Sequence, residues 1–287
     1  TALIMWLGEQ INDKGIGNGI SIILFAGIVS RIPSLITQLF GGTGTGSYWS
    51  RGGVYYFLSP FVCVILVLMI AFIVWMDNAE RRIPVQYAKR VVGRKMYGGQ
   101  NTHIPIKVNM SGVMPVIFAG SILSIPPTIQ MFIPAAKLSA SKFWTGFFNV
   151  FSSTHWAYGI IYFILIIAFA YFYSSIQYNP IEMSQNIAKN GGMIPGIRTG
   201  RPTSDYIARI ISRITLLGAL LLSVVAIFPI LFSQITTLIL TKATSYADGM
   251  NISLGGTSII ILVGVALETV KQLESQMMMR HYKGFLD

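Results

Sequence analysis

Six long stretches of this sequence contain almost no charged residues, and they constrain its fold more than any other feature. Within the second stretch, residues 61–70 are apolar on every side. A helix needs about 20 apolar residues to cross roughly 30 Å of hydrocarbon, whereas a strand of a membrane barrel shows about ten residues of alternating polarity. The sequence therefore predicts an all-α, polytopic transmembrane helix bundle. Its six full spans are predicted at residues 20–40, 54–76, 111–133, 159–178, 214–240 and 257–277.

Composition agrees with a membrane protein. Hydrophobic residues make up 53% of the chain and charged residues only 11%, which leaves too little polar surface to cover a soluble globule of this length.

The first apolar segment, residues 2–7, is too short to cross a membrane before it meets Glu9 and Asp13. The sequence also begins with Thr1 rather than with methionine. We therefore expect the chain to start inside a partial N-terminal span and to be the C-terminal portion of a longer protein.

Basic residues concentrate in alternate connections between the spans. Residues 81–109 hold seven of the 21 lysines and arginines, and residues 181–213 hold five more. Because cytoplasmic loops of membrane proteins are enriched in these residues, we place both loops and the C-terminus in the cytoplasm. The opposite side then carries only Arg51, Lys137, Lys142 and Lys242, with Arg31 near that interface.

The first basic loop shows a strand-like pattern. Residues 85–89 and 95–97 alternate polar side chains with β-branched or aromatic ones, and glycines bracket them. This pattern predicts a β-hairpin-like protrusion into water.

The span at residues 111–133 is interrupted by Pro115, Gly120, Pro126 and Pro127. A helix with such interruptions loses backbone hydrogen bonds, which is tolerated only where neighbouring protein or water replaces them. The interruptions predict a helix that bends or moves. Prolines are also common in membrane helices in general, so the residues alone leave both interpretations open.

Ionisable side chains within the apolar stretches would indicate an enzyme or an ion-coupled transporter. The ten acidic residues lie instead at span ends and in loops, or near the end of the last span. The histidines His103, His155 and His281 lack the spacing of metal ligands. There is no glycine-rich phosphate loop and no nucleophile elbow. We therefore expect no enzyme, no metal and no cofactor, and a secondary transporter of a small solute stays as an alternative function.

Three cations, Arg94, Lys95 and Arg198, lie at the apparent tips of the two basic loops. Lysines and arginines near a membrane most often set topology or contact anionic lipid. At a loop tip beyond the headgroups, a cation gains more from an anionic partner such as ribosomal RNA or an acidic protein. These positions predict a docking surface.

Six short motifs occur in order along almost the whole chain. They are WLGEQI at 6–11, GIGNGIS at 15–21, RRIPVQYAKR at 81–90, THIPIKVN at 102–109, PGIR at 195–198 and LGGTS at 254–258. Together they closely resemble the bacterial SecY family, the channel subunits of the Sec protein translocase.

The resemblance implies a fold of ten spans in two halves around a pore. The chain would run from the end of the fourth span through the tenth. Residues 1–53 would then complete the N-terminal half, and residues 54–287 would form the C-terminal half. The implied function is that of a central pore subunit in the bacterial plasma membrane, which passes unfolded secretory proteins and releases membrane segments sideways into lipid. The implied partners are SecE, SecG, the SecA motor or the ribosome, signal peptides, nascent chains and membrane lipid.

The resemblance also assigns roles to individual residues. It implies an apolar pore ring, a lateral gate contributed by the spans at 111–133 and 159–178, and a docking surface for SecA or the ribosome. Ile20 and Leu24 are four residues apart and share a helix face, as a pore lining requires. The pore ring is Ile20, Leu24, Ile117 and Ile261; the gate residues are Pro115, Gly120, Ile125 and Pro126; the docking residues are Arg90, Arg94, Lys95, Arg198 and Arg201.

Overall fold

The computed structural model describes residues 2–15, 17–41, 48–49, 53, 55–87, 90–92, 95–97, 101–133, 142–152, 155–243 and 255–283. The helices in these ranges are α1 (Ala2–Lys14), α2 (Gly19–Val29), α3 (Ile32–Phe40), α4 (Tyr55–Asn78), α5 (Met114–Phe132), α6 (Lys142–Val150), α7 (Trp156–Gln177), α8 (Pro180–Lys189), α9 (Arg201–Ala243) and α10 (Gly256–Lys283). The strands are β1 (Glu80–Tyr87), β2 (Arg90–Val92), β3 (Lys95–Tyr97), β4 (Asn101–Lys107) and β5 (Gly192–Met193). The chain forms two compact units, one of Thr1–Val74 with Val225–Asp287 and one of Trp75–Val224.

Six helical segments are long and apolar enough to cross a membrane by length and composition. They confirm the predicted helical membrane fold and its six spans. The segments are Gly19–Phe40, Tyr55–Asn78, Met114–Phe132, Trp156–Lys189, Arg201–Leu238 and Gly256–Met278.

The first span is divided into two helices rather than being continuous over residues 20–40. Asn18 caps the start of α2, because its side-chain oxygen accepts the N–H of Ile20 at 3.1 Å. Helix α2 ends at Val29, and Pro33 lies in the first turn of α3. Proline favours a helix start, since it has no N–H to leave unpaired there.

The second basic loop is mostly helical, which corrects the prediction of a loop over residues 181–213. Helix α9 begins at Arg201, well before the apolar stretch predicted to start at residue 214. Its first turns are amphipathic: Ile207 and Ile211 are buried, whereas Arg209 is exposed. Hydropathy alone missed this extension because a helix outside the hydrocarbon needs only one apolar face.

The first basic loop forms the expected protrusion, but with different strand pairing. Strand β1 pairs antiparallel with β4, from Glu80 opposite Lys107 to Gln86 opposite Asn101. Strand β3 pairs with β2 and not with residues 85–87, so that detail of the predicted hairpin was wrong. The alternating pattern of β1 does mark a strand, but its partner is β4, which lies further along the chain than β3.

Strand β5, from the second basic loop, extends the same sheet on the other edge of β1. Met193 lies opposite Gln86, and Gly192 lies opposite Tyr87. The sheet order is therefore β4-β1-β5. The two basic loops are thus parts of one folded element.

One face of this sheet packs on α8 and on the first turns of α9. Their shared buried cluster, called here the sheet core, fixes the second basic loop against the first. It consists of Ile83, Val85, Ile106, Met110, Ile187, Ile194, Ile207 and Ile211.

Candidate functional site

Residues 194–200, called here the Arg198 turn, connect β5 to α9. Ile194 is buried in the sheet core and Ile197 packs against it, while the N–H of Ile197 donates to the carbonyl of Ile194 at 3.1 Å. Gly196 and Gly200 adopt φ values of 82° and 103°, a backbone region that favours glycine. The Arg198 side chain is exposed. It lies between Ile197, which is anchored on the sheet core, and Gly200, where the backbone turns.

Two buried hydroxyl groups contact the backbone of this turn. Thr203 Oγ1, in the first turn of α9, donates to the Arg198 carbonyl at 2.8 Å. Ser184 Oγ, from α8, donates to the Gly200 carbonyl at 3.0 Å. Thr203 and Ser184 are each only 3% exposed. The turn is therefore bonded to both helices that flank it.

The charge of Arg198 has no carboxylate partner within the described part of the chain. The ion pair found there joins Arg82 to Glu80 at 2.7 Å, on the exposed side of β1. Surface ion pairs of this kind contribute little to stability. The Arg198 side chain is therefore exposed and has no ion pair within the described ranges.

The other predicted docking residues occupy different kinds of position. Arg90 lies in β2 and Lys95 lies in β3, two strands that pair with each other. Arg94 lies outside the described residues. Arg201 is the exposed first residue of α9 rather than part of a loop.

The predicted pore residues lie on three helices. Ile20 and Leu24 are 56% and 49% exposed on α2, one helical turn apart. Ile261 is half-buried on α10, a helix that packs against α2 in the same unit. Ile117 is half-buried near the start of α5, in the other unit.

The predicted gate residues all lie on α5, which runs as one helix from Met114 to Phe132. Pro115 is buried in its first turn and Pro126 lies in its interior. Ile125 is 53% exposed. A Cβ added at Gly120 would lie 3.8 Å from the Tyr162 hydroxyl of α7. Helix α5 therefore packs closely on α7 at this glycine.

A stripe of hydroxyl groups on α5 was missed by the sequence analysis. Ser121, Ser124 and Thr128 are exposed, and their hydroxyls donate to the carbonyls of Ile117, Ser121 and Ser124 at 2.8, 2.7 and 2.7 Å. The spacing from Ile117 is four, seven and eleven residues, which places all of them on one face of the helix. That spacing within an apolar span was the signal available in the sequence.

Within the described ranges, no three His, Cys, Asp or Glu side chains form a group that could hold a metal ion. Cys63 is a free, half-buried thiol in α4.

Comparison with known proteins identifies relatives over nearly the whole sequence. The SecY family model matches residues 1–270. The protein translocase subunit SecY of Mycobacterium bovis is 46% identical over an alignment 290 residues long, which covers 99% of this chain and 61% of the relative. The SecY of Streptomyces galbus is 44% identical over 286 residues, covering 100% of this chain and 61% of that protein. The chain thus spans about three fifths of the length of these relatives.

Solved structures show the same fold at much lower identity. A chain described as a protein-conducting channel matches with a TM-score of 0.55 and 17% identity, over 96% of this chain and 62% of that one. A SecY structure from work on its plug domain matches with a TM-score of 0.55 and 18% identity, over 96% of this chain and 63% of that one.

Proposed function

This chain belongs to the SecY family of multi-pass membrane proteins, and from that membership we propose that it supplies the central pore of a Sec translocon. In the bacterial plasma membrane, unfolded secretory proteins pass through this pore and membrane segments leave it sideways into lipid. SecE and SecG are the proposed companion subunits. Family membership favours this function over the small-solute transporter.

For the pore itself, Ile20, Leu24, Ile117 and Ile261 are the proposed apolar constriction. A narrow apolar collar excludes water and ions yet yields to a passing chain. The stripe of exposed hydroxyls that continues from Ile117 along the same face of α5 supports this role, because it gives that face polar groups that water in a pore could reach.

For the lateral gate, α5 and α7 are proposed to form one side, with Pro115, Gly120, Ile125 and Pro126 on the moving helix. Signal peptides and membrane segments would leave the pore past this side. The proposed division between the two halves of the complete channel lies at residue 53.

The docking part of the proposal rests on one observation. Arg198 is exposed on a turn whose backbone is held by hydrogen bonds from Thr203 and Ser184. Both basic loops face the cytoplasm in this proposal, and an acidic surface of the SecA motor binds there. Arg90, Arg94, Lys95 and Arg201 are proposed as further docking residues. The chain supplies no catalytic residues, and the energy for transport comes from the motor.

Replacing Arg198 by glutamate in the full-length subunit tests this role. We expect SecA-driven secretion to fall by tenfold or more, about the effect of reversing a charge at a close contact, while the subunit still inserts and assembles with SecE. Lys189→Glu, at the end of α8, is the matched charge reversal and should leave secretion near normal. Normal secretion by Arg198→Glu would contradict the proposal, and a defect limited to ribosome-coupled insertion would assign the site to the ribosome instead.

A further inference from the structure

Two buried hydroxyls bond the backbone of the turn that presents Arg198. We propose that Thr203 and Ser184 are positioning residues, which hold the Arg198 turn in its binding shape before an acidic partner arrives. The inference rests on the proposed docking role of Arg198, and it concerns side chains that do not touch the partner themselves.

The turn has an intrinsic reason to need such support. Gly196 and Gly200 flank Arg198 at φ values of 82° and 103°, and glycine is the residue with the most backbone freedom to lose. Pairing of β5 with β1 ends at Met193, so the sheet itself does not reach Arg198. Ile197 is held by its packing on the sheet core, but without further bonds the exposed Arg198 and Thr199 would adopt many backbone conformations.

Thr203 restrains the segment from the side of α9. Its hydroxyl reaches back five residues to the Arg198 carbonyl at 2.8 Å. Because that carbonyl belongs to the arginine itself, the bond limits the backbone rotation that would swing the guanidinium away.

Ser184 restrains the end of the turn from the side of α8. Its hydroxyl lies 3.0 Å from the Gly200 carbonyl, which also accepts the N–H groups of Thr203 and Ser204 at 3.1 and 3.2 Å. The same helix buries Ile187 in the sheet core. The bond therefore ties the turn to a rigid part of the fold.

A turn held in this way binds more tightly, because less conformational freedom is lost when the partner docks. Arginine suits such a surface, since its planar guanidinium pairs with a carboxylate through two parallel hydrogen bonds only when it is correctly oriented.

Thr203→Val in the full-length subunit, assembled in membrane vesicles, removes the hydroxyl and keeps the side-chain shape. We expect purified SecA to bind about three- to tenfold more weakly, the effect of one lost hydrogen bond. Thr203→Ser keeps the hydroxyl and should restore binding. Ser204→Ala is the matched control, because the Ser204 hydroxyl bonds the Arg201 carbonyl inside α9 at 2.9 Å, and it should bind SecA normally.

A double variant separates positioning from general stability. If Thr203 acts through the arginine, Arg198→Ala with Thr203→Val binds SecA no more weakly than Arg198→Ala alone, whereas additive losses would overturn the inference. Normal binding by Thr203→Val and by Ser184→Ala, with weak binding by Arg198→Ala, would also overturn it and leave the docking proposal intact. Normal binding by Arg198→Ala would instead refute the docking proposal. Ser184→Ala provides the test if Thr203→Val fails to assemble.

Discussion

At the scale of single residues, the hydroxyl groups of this chain differ in which carbonyl they bond. Ser121 and Thr128 bond carbonyls of their own helix, so they need no partner elsewhere and can face water or lipid. Thr203 and Ser184 bond carbonyls of the Arg198 turn and are buried. Hydroxyls such as those of Ser121 and Thr128 make a helix surface polar, whereas the hydroxyls of Thr203 and Ser184 fix the shape of the Arg198 turn.

Ile117 lies at the head of the exposed hydroxyl stripe, where a polar side chain would extend the polar surface into the proposed constriction. We expect Ile117→Asn in the full-length subunit to favour the open channel by about tenfold, since wetting an apolar collar changes its free energy by about 1–2 kcal/mol. Ion conductance in planar bilayers and export of substrates with defective signal sequences should both rise.

Ile122→Asn is the matched control for that experiment. Ile122 is exposed on the same helix but lies five residues further on, away from the face of Ile117. It should leave conductance and selectivity near those of the unaltered channel. Equal leaks from both variants would argue against a constriction at Ile117.

At the scale of elements, the spans could be predicted and several of their ends could not. Uncharged stretches of about 20 residues mark the hydrocarbon-crossing part of a helix, and all six appear as helices. The start of α9 at Arg201 was missed because its first turns follow the apolar face of the sheet core rather than lipid. The break between α2 and α3 was missed because only Ser30 and Arg31 separate the two helices.

Strand pairing was the least predictable part of the fold. The pattern in β1 shows that it is a strand, but nothing in it selects β4 over the nearer β3 as its partner. The place of β5 in the sheet depends on a contact across more than 100 residues. For the same reason, the exposure of Arg198 could be predicted from its turn, whereas the bond from the Ser184 hydroxyl to the Gly200 carbonyl could not.

Helices α7 and α9 share a buried hydrogen bond between Ser174 Oγ and Thr215 Oγ1, at 2.9 Å. We expect Ser174→Ala or Thr215→Val alone to lower the free energy of unfolding by about 1 kcal/mol, because each leaves one buried hydroxyl unpaired. The double variant should cost less than the two losses added together. Unfolding of the subunit in mixed micelles measures all three.

Ser175→Ala provides the control, since the Ser175 hydroxyl is exposed and bonds Phe172 of its own helix at 2.7 Å. It should change stability by less than about 0.5 kcal/mol. Strictly additive losses for Ser174 and Thr215 would show that the pair does not hold the two helices together.

At the scale of the whole molecule, the distribution of charge sets the orientation in the membrane. The residues of the sheet and of the Arg198 turn belong to the two connections that carry most of the basic side chains. Moving them across the hydrocarbon during insertion is unfavourable, so we propose that they stay in the cytoplasm. The same cations that orient the chain would then lie where a cytoplasmic motor can reach them.

Cysteine labelling of membrane vesicles tests this orientation. A single span, α7, separates Asn149 in α6 from Thr199 in the Arg198 turn, and both residues are exposed. With Cys63 replaced by serine, we expect Thr199→Cys to react with a membrane-impermeant maleimide in inverted vesicles and Asn149→Cys to react in right-side-out vesicles. Each should become reactive in the opposite vesicles only after detergent is added. Labelling of both cysteines from one side would contradict α7 as a span, and labelling of each from the unexpected side would show that the basic loops face outward and that no cytoplasmic motor can dock on Arg198.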